Sequence, residues 1–540
     1  MHTDRYQGKY FSVLGDSIST LAGWNPPDHA VFYNWEHKRP SGVLGPEDTW
    51  WGKVIDALGG QLLMNESWSG SLVCKHPRCE IESYGCSDVR TGNLGKDGLA
   101  PDVVMVLLGI NDWGNGMQVT PRAGEAELSV FSVAYETMLG KIRRNYPNAE
   151  IWCMTFPRSY WSKNENFMVP SCYAGVHIEE YCHAIRRCAR KMGCRLVEID
   201  DPEKRYDTID GFHPTAEGMQ TIADAVLRGI ENEHRSRIVD SHAHYCHNVY
   251  AGEFTYLDYG SEGFYLSRGD RWDLVGAMER AGIELCIEPS IGLERIEAQL
   301  ALVEAHGPYF RLALGVHPKE CVRTPWKDRK KLRQYVKDDR IVAIGEAGLD
   351  YHLPQKEQKR LYQKMWFAYQ IRLAHERGLP MVLHLREADQ DILKLQDRQA
   401  DRDALKLLRR YRHLLHGGVN HCFGGDYETA MAYIDLGFAL GIGGRLLRND
   451  TLGLTLQDTV RRVPLTALLL ETDAPYILPD LRDLSCTGKQ RKKVRNSSLI
   501  LPAVLDKIAE LREESREAVE ETIYRNTLRV FRLEENEPGR

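Results

Sequence analysis

Short apolar runs alternate with helix-length amphipathic stretches over the first 230 or so residues. Tyr10–Ser17, Leu62–Ser67, Asp102–Leu108, Glu150–Phe156 and Arg195–Ile199 each have the length and β-rich or apolar character of a buried strand. Stretches such as Phe131–Asn145 and Ile178–Met192 lie between them with apolar residues at helical spacing. This alternation predicts an α/β domain with a parallel sheet and helices on both faces. A last helix, Ala216–Glu231, runs into the charged string ENEHRSR, which sets the predicted boundary: residues 1–234, then 237–534, then a tail at 535–540.

After that boundary the same pattern repeats eight times. The expected strands are Arg237–His242, Leu285–Ser290, Arg311–Val316, Ile341–Glu346, Pro380–His384, Gly418–His421, Phe438–Gly443 and Ala467–Thr472. Helical stretches such as Gln358–Arg377 and Asp426–Leu436 separate them. Eight such units over roughly 300 residues predict a TIM-type (β/α)8 barrel.

Composition narrows the function classes. A chain of 540 residues exceeds what one core usually holds, which agrees with two domains. The net charge of -6 gives no bulk attraction for nucleic acid, so a nuclease needs a local basic patch or metal ions. The longest apolar run, Val103–Leu108, falls far short of the ~20 residues that span a bilayer, so no membrane role is expected. The polar start MHTDRYQGKY lacks a secretory pattern, and the 13 cysteines lack disulfide-scaffold spacing. The expectation is a cytoplasmic protein with reduced thiols.

Candidate chemistry falls into two groups. In the first half, VLGDSIS puts Ser17 where a strand ends, the edge at which open α/β sheets bind ligands. A serine there is also an ordinary helix N-cap. Asp210-Gly-Phe-His213-Pro places an acid and an imidazole within reach of each other, so Asp210 can orient His213 and His213 can deprotonate Ser17. The same segment also reads as a helix start. Gly70, in Ser67-Trp-Ser-Gly-Ser71, and Asn111, in Gly-Ile-Asn-Asp112, follow strands at that same edge. With the Ser17 backbone they offer three oxyanion donors. The aromatic stretch Trp24–Trp51 is either packed loop or the wall of a sugar-binding or small apolar pocket. In combination these four blocks resemble the SGNH/GDSL hydrolase family over about residues 8–232. The resemblance implies a flavodoxin-like sheet and serine-dependent hydrolysis of an acyl or acetyl ester of a small molecule or carbohydrate. It implies Ser17 as nucleophile, His213 as base, Asp210 as orienter, and Gly70 and Asn111 as oxyanion donors, with no cofactor.

In the second half, His242 and His244 lie two apart at a strand end and so face one point. Glu346, His384, His421 and Asp473 end other strands, and barrel strand ends converge on one mouth. Polar groups closing apolar strands need partners, and a metal is the economical one. Four imidazoles and two carboxylates suffice for two divalent ions sharing a carboxylate; the ligand types suit Zn or Mn better than Mg. The segments DSHAH, GVHP, GEAGLDY, HLREA, HCFGG and ETDAPY resemble the TatD family of metal-dependent hydrolases over about residues 237–534. The resemblance implies His242, His244, Glu346 and Asp473 on one ion and Glu346, His384 and His421 on a second. It implies phosphodiester hydrolysis, often trimming of single-stranded DNA ends in the 3′→5′ direction. His317 and Arg386 are candidate phosphate contacts. Tyr245–Arg271 is an extra aromatic, Gly-rich stretch expected near the mouth, as a lid or a limit on substrate size.

Other readings stay open. The barrel can instead cleave an amide or ester of a small molecule, or one domain can be a binding module. Cys74, His76, Cys79 and Cys86 can hold a structural zinc, although their spacing is irregular. Cys182, Cys188 and Cys194 read as small core residues, and His177 and His183 as helix-surface or packing residues. Oligomeric state is not legible.

Overall fold

The computed structural model describes residues 5–76, 82–121, 127–164, 171–199, 205–231, 236–352, 357–387, 398–480, 484 and 493–533. Contacts divide the chain at residue 234 into two compact units.

The first unit has five parallel strands, β1 (Tyr10–Gly15), β2 (Gln61–Asn65), β3 (Val103–Leu107), β4 (Glu150–Met154) and β5 (Arg195–Val197), in the order β2-β1-β3-β4-β5. Their side chains alternate between two cores. Phe11, Val13, Met105, Leu107, Trp152 and Met154 pack on one face. Leu14, Val104, Val106, Ile151 and Cys153 pack on the other. The first face is covered by α1 (Trp50–Ala57) and α4 (Ala216–Glu231), the second by α2 (Phe131–Asn145) and α3 (Ile178–Lys191). Burying such an aliphatic side chain contributes ~1.5–3 kcal/mol, so the two-period alternation holds the sheet between its helix layers. The strand order reverses between β1 and β3, which opens a crevice at the carboxyl edge.

The second unit is a barrel of β6 (Ile238–Asp240), β9 (Ile283–Pro289), β10 (Phe310–Leu314), β11 (Ile341–Asp350), β12 (Met381–Arg386), β13 (Gly418–Asn420), β14 (Phe438–Ile442) and β15 (Leu468–Leu470), all parallel and in sequential order. Small and medium apolar residues of successive strands, Ile287, Ala313, Ala343, Val382, Val419, Ala439 and Leu469, form one inner cluster. Phe531, from the last helix (Arg516–Phe531), joins that cluster. The ring closes through the carboxyl ends of its first and last strands. Ser241 N–H donates to Leu470 O at 2.9 Å, Asp473 N–H to His242 O at 2.8 Å, and His244 N–H to Ala474 O at 2.7 Å.

The observed strands differ from the expected ones mainly at their ends. β1 stops at Gly15, and Ser17 begins a 3-10 turn. β11 runs through Glu346 to Asp350 instead of ending at Glu346, with a register shift between Ile344 and Ala347 against β12. Part of the extra stretch Tyr245–Arg271 forms an antiparallel ribbon, β7 (Phe254–Gly260) and β8 (Gly263–Gly269). β7 is fastened to Val494–Arg495 by parallel pairing and accepts a bond from Ser497 Oγ at Leu257 O, 2.6 Å. Among the described residues no helix is long and apolar enough to cross a membrane.

Candidate functional sites

Ser17 sits at the crevice because β1 ends one residue before Asp16. The Asp16 carboxylate caps the turn by accepting from Ile18 N–H at 3.1 Å. Gly15 permits the sharp exit: a Cβ there would lie 2.5 Å from Ser19 Oγ. His213 arrives from the loop before α4. Its Nε2 lies 2.9 Å from Ser17 Oγ and its Nδ1 2.6 Å from Asp210 Oδ2. Asp210 Oδ1 also accepts from the His213 and Phe212 backbone N–H groups, at 2.8 and 3.0 Å. Burial alone would raise the Asp210 pKa; these bonds from His213 and Phe212 hold it down at about 2. Asp210 is therefore ionised at neutral pH and fixes the ring with Nδ1 protonated and Nε2 free to accept from serine.

Gly70 has φ +77°, a left-handed turn that suits glycine. Its loop is tied to the nucleophile strand by Trp68 N–H to Gly15 O, 3.1 Å. Asn111 Nδ2 donates to Ser71 O at 3.0 Å, which leaves its second N–H available. Asp112 accepts from Val73 and Cys74 N–H at 2.8 and 3.0 Å and so anchors the far side of the same loop. All five residues expected at this site thus come to one edge. The aromatic stretch divides: Tyr33, Trp50 and Trp51 are buried core, while Phe32 stacks face-on against His213, with centroids 3.4 Å apart and planes 9° apart. Phe32 carries no motif signal; only the fold brings it onto the imidazole.

In the barrel, the six expected ligands come together, four imidazoles around Glu346 and Asp473 beside two of them. His242 Nε2 lies 3.8 Å from Glu346 Oε1 and 3.6 Å from Asp473 Oδ1, and His244 Nε2 lies 3.5 and 3.3 Å from the same two oxygens. The two Nε2 atoms are 3.3 Å apart. On the other carboxylate oxygen, Glu346 Oε2, His384 Nδ1 sits at 3.0 Å and His421 Nε2 at 3.1 Å, with 2.9 Å between these nitrogens. His317 Nε2 is 3.7 Å from Glu346 Oε2 and 5% exposed, so this candidate phosphate contact belongs to the same cluster. Arg386 stands at the end of β12, half-buried, with Nη2 3.4 Å from His352 Nε2.

Residues 239–532 match the family model for TatD-related DNases. The chain belongs to the TatD-related DNase family. Residues 9–230 match the model for GDSL-like lipases and acylhydrolases, so the chain joins a GDSL-like hydrolase domain to a TatD nuclease domain. A Pantoea sp. (strain At-9b) protein named 3′-5′ ssDNA/RNA exonuclease TatD is 33% identical over 265 residues, 49% of this chain and 94% of its own. The solved TatD homolog YJJV of Escherichia coli K12 is 24% identical, with a TM-score of 0.45 over 56% of this chain and 100% of its own. A Bacteroides uniformis protein described as a GDSL-like lipase is 27% identical, with a TM-score of 0.33 over 42% of this chain and 96% of its own.

The TatD family is metal-dependent, and the donor set here fits divalent ions. Four imidazoles gather on one carboxylate with nitrogens 2.9 and 3.3 Å apart, a donor set of the kind divalent ions take. The His242 and His244 nitrogens lie 3.3 Å from each other and 3.3–3.8 Å from the Glu346 and Asp473 oxygens, close enough for these residues to share one ion. Two groups beyond the expected set complete the site. Asp350 Oδ2 lies 3.2 Å from His384 Nε2, orienting the ring so that Nδ1 faces Glu346. Glu471, buried, accepts from Cys422 N–H beside His421. Asp350 was visible in the GEAGLD segment, but its partnership depends on β11 continuing past Glu346. Of the proposed zinc residues, Cys79 lies outside the described residues, and no metal-ligating group among the described residues includes Cys74, His76 or Cys86. Cys74 and Cys86 are buried in the core, as are Cys182 and Cys188. His177 and His183 are buried packing residues rather than surface ones.

Proposed function

We propose that the chain is a bifunctional hydrolase. Its barrel is a divalent-metal-dependent exonuclease that trims single-stranded DNA or RNA from the 3′ end. Its first unit is a serine esterase for short acyl groups.

For the barrel, the carrying observation is the convergence of four imidazoles on the two oxygens of Glu346, with Asp473 beside two of them. The names of the curated relatives support the substrate and polarity. His242, His244, Glu346 and Asp473 would hold one ion, and Glu346, His384 and His421 a second, of Zn, Mn or Mg. Such ions activate a water and neutralise charge on the phosphodiester. The chain's own residues preorganise this site. Asp350 keeps the His384 Nε2 proton, and Asp240 accepts from His242 N–H at 3.1 Å and from Thr472 Oγ1 and Ser498 Oγ at 2.6 Å each, fixing the seam that carries three ligands. Digestion of a 3′-labelled single-stranded oligonucleotide with Mg²⁺ or Mn²⁺ tests this. Wild type should release label and Glu346→Ala should not. A wild type that binds metal stoichiometrically but releases nothing would reject nucleic acid as substrate.

For the first unit, the carrying observation is His213 bridging Ser17 and Asp210. His213 Nε2 takes the Ser17 proton as Oγ attacks the ester carbonyl, and Asp210 stabilises the imidazolium. Gly70 N–H and Asn111 Nδ2–H receive the oxyanion, and His213 then returns the proton to the leaving alcohol. A cavity of about 10 Å³ is lined by Asp16 and Ile18, which flank Ser17, by Ile110, which precedes Asn111, and by Phe156 and Pro157. An acetyl ester is the favoured substrate. Hydrolysis of p-nitrophenyl acetate should exceed that of the butyrate by at least tenfold; equal rates would remove the acetyl assignment.

A further inference from the structure

Beside the ligand cluster lies a pocket of about 200 Å³ whose lining includes His384, His421 and Asp473 together with Arg386, Arg398 and Arg445. The three arginines differ in how their charge is met. Arg398 Nε is bound to Asp401 at 2.5 Å, and its Nη1 donates to Gly424 O at 3.1 Å. Of the other two pocket carboxylates, Glu387 accepts from Ala400 and Asp401 N–H at 3.0 and 2.9 Å, and Asp473 lies 3.6 and 3.3 Å from His242 and His244. Asp450, on the loop after Arg445, is taken by Arg448 at 2.6 Å. Arg386 and Arg445 are half-buried and form no ion pair with a carboxylate among the described residues. The polar contacts of these two side chains are His352 Nε2 at 3.4 Å for Arg386 and the Cys422 thiol at 3.7 Å for Arg445. Gly424 leaves room for the Arg445 guanidinium, since a Cβ there would meet Nη1 at 2.1 Å.

Two half-buried guanidinium groups, neither in an ion pair with a carboxylate among the described residues, face one cavity in a chain of net charge -6, a setting that suits an anion from outside. We propose that Arg386 and Arg445 form a subsite for a second phosphate, the phosphodiester on the 5′ side of the bond cleaved at the Glu346 cluster. This rests on the nuclease reading above. It supplies the local basic patch that an acidic nuclease requires, and it gives the site a preference for substrates carrying a phosphate one nucleotide upstream.

The test uses the full chain and two readouts. The first is kcat/KM for the dinucleotides pTpT and TpT. Wild type should prefer the 5′-phosphorylated form by about tenfold, and Arg445→Gln and Arg386→Gln should each reduce that preference towards one. The second is binding of fluorescent (dT)10 in chelator, read by anisotropy across salt concentrations. Each variant should bind about tenfold more weakly and lose ~0.7 from the log–log salt slope, the value for one phosphate contact on a single strand. Arg445→Lys should keep most of the slope, and stoichiometric metal binding by each variant would show that the barrel is intact. Unchanged preference and slope in Arg445→Gln, with wild type still cutting TpT, overturns the subsite alone. A wild type that neither binds (dT)10 nor cuts either dinucleotide overturns the subsite and the nuclease reading together.

Discussion

The two sites satisfy their polar groups in opposite ways. At Ser17 every polar atom that matters has a protein partner: serine to imidazole, imidazole to Asp210, Asp210 to two backbone amides. At Glu346 four imidazoles crowd onto one carboxylate, with imidazole nitrogens 2.9 and 3.3 Å apart. A hydrogen-bonded line is complete as the chain folds. A crowd of imidazoles and carboxylates is a donor set suited to cations. The contrast predicts that each site fails to a different insult.

The largest effect should come from Ser17→Ala, which removes the nucleophile and should lower acetyl-ester turnover on the order of 10⁶-fold. Metal-dependent nuclease activity in the same preparation should not change; loss of both would mean that the sites are not independent. Chelation should do the converse, and an esterase that dies with chelator would break the comparison outright. Asp210→Asn comes next, at about 10⁴-fold in kcat, because the imidazole loses its proton-fixing partner. Asp350→Asn is the barrel's counterpart and should be milder, weakening metal affinity about 10–100-fold by calorimetry, since Asp350 acts through His384. An Asp350→Asn protein with wild-type metal affinity would remove Asp350 from the site.

The smallest effect is on stability. Burial raises the Asp16 pKa to about 7 and that of Asp112 to about 6, above the ~4 of an unfolded aspartate. At these two groups the folded state binds more protons than the unfolded state between pH ~4 and ~7, so their contribution to stability falls as pH rises through that window. The unfolding midpoint by calorimetry should be a few degrees higher at pH 5.5 than at pH 8, and Asp112→Asn should flatten the difference. Asp210 works the other way. Its stabilisation is present above pH ~4 and is lost only as pH falls towards its folded value of about 2.

Both architectures were legible because their signal is periodic. Phe11, Val13 and Leu14 already alternate between two cores in the sequence, and the barrel strands recur as apolar runs between helices. The six candidate ligands stood out because each is a polar residue at or near the end of such a run, and the fold brings them together. Where reading failed, the controlling contact was long-range. Nothing local tells that β11 continues to Asp350, because its last residues are held by pairing with β12, as in Asp350 with Arg386. Phe32 lies 181 positions from the ring it stacks on. Arg445 looks like any loop arginine until Cys422, Gly424 and the ligand cluster are brought beside it. Within the extra stretch expected near the mouth, pairing of Thr255 and Tyr256 with Val494 and Arg495 decides where the ribbon lies.

The barrel's seam has a consequence for synthesis. Its first strand delivers His242 and His244, and the partner that closes the ring against them delivers Asp473, with Asn496 Nδ2 locking Thr472 O at 3.1 Å. On the ribosome, the residues of the serine triad have all emerged once His213 has cleared the exit tunnel. The metal set must wait until the chain is nearly finished. Any truncation before Asp473 removes a proposed ligand and the closing strand's anchor in one cut.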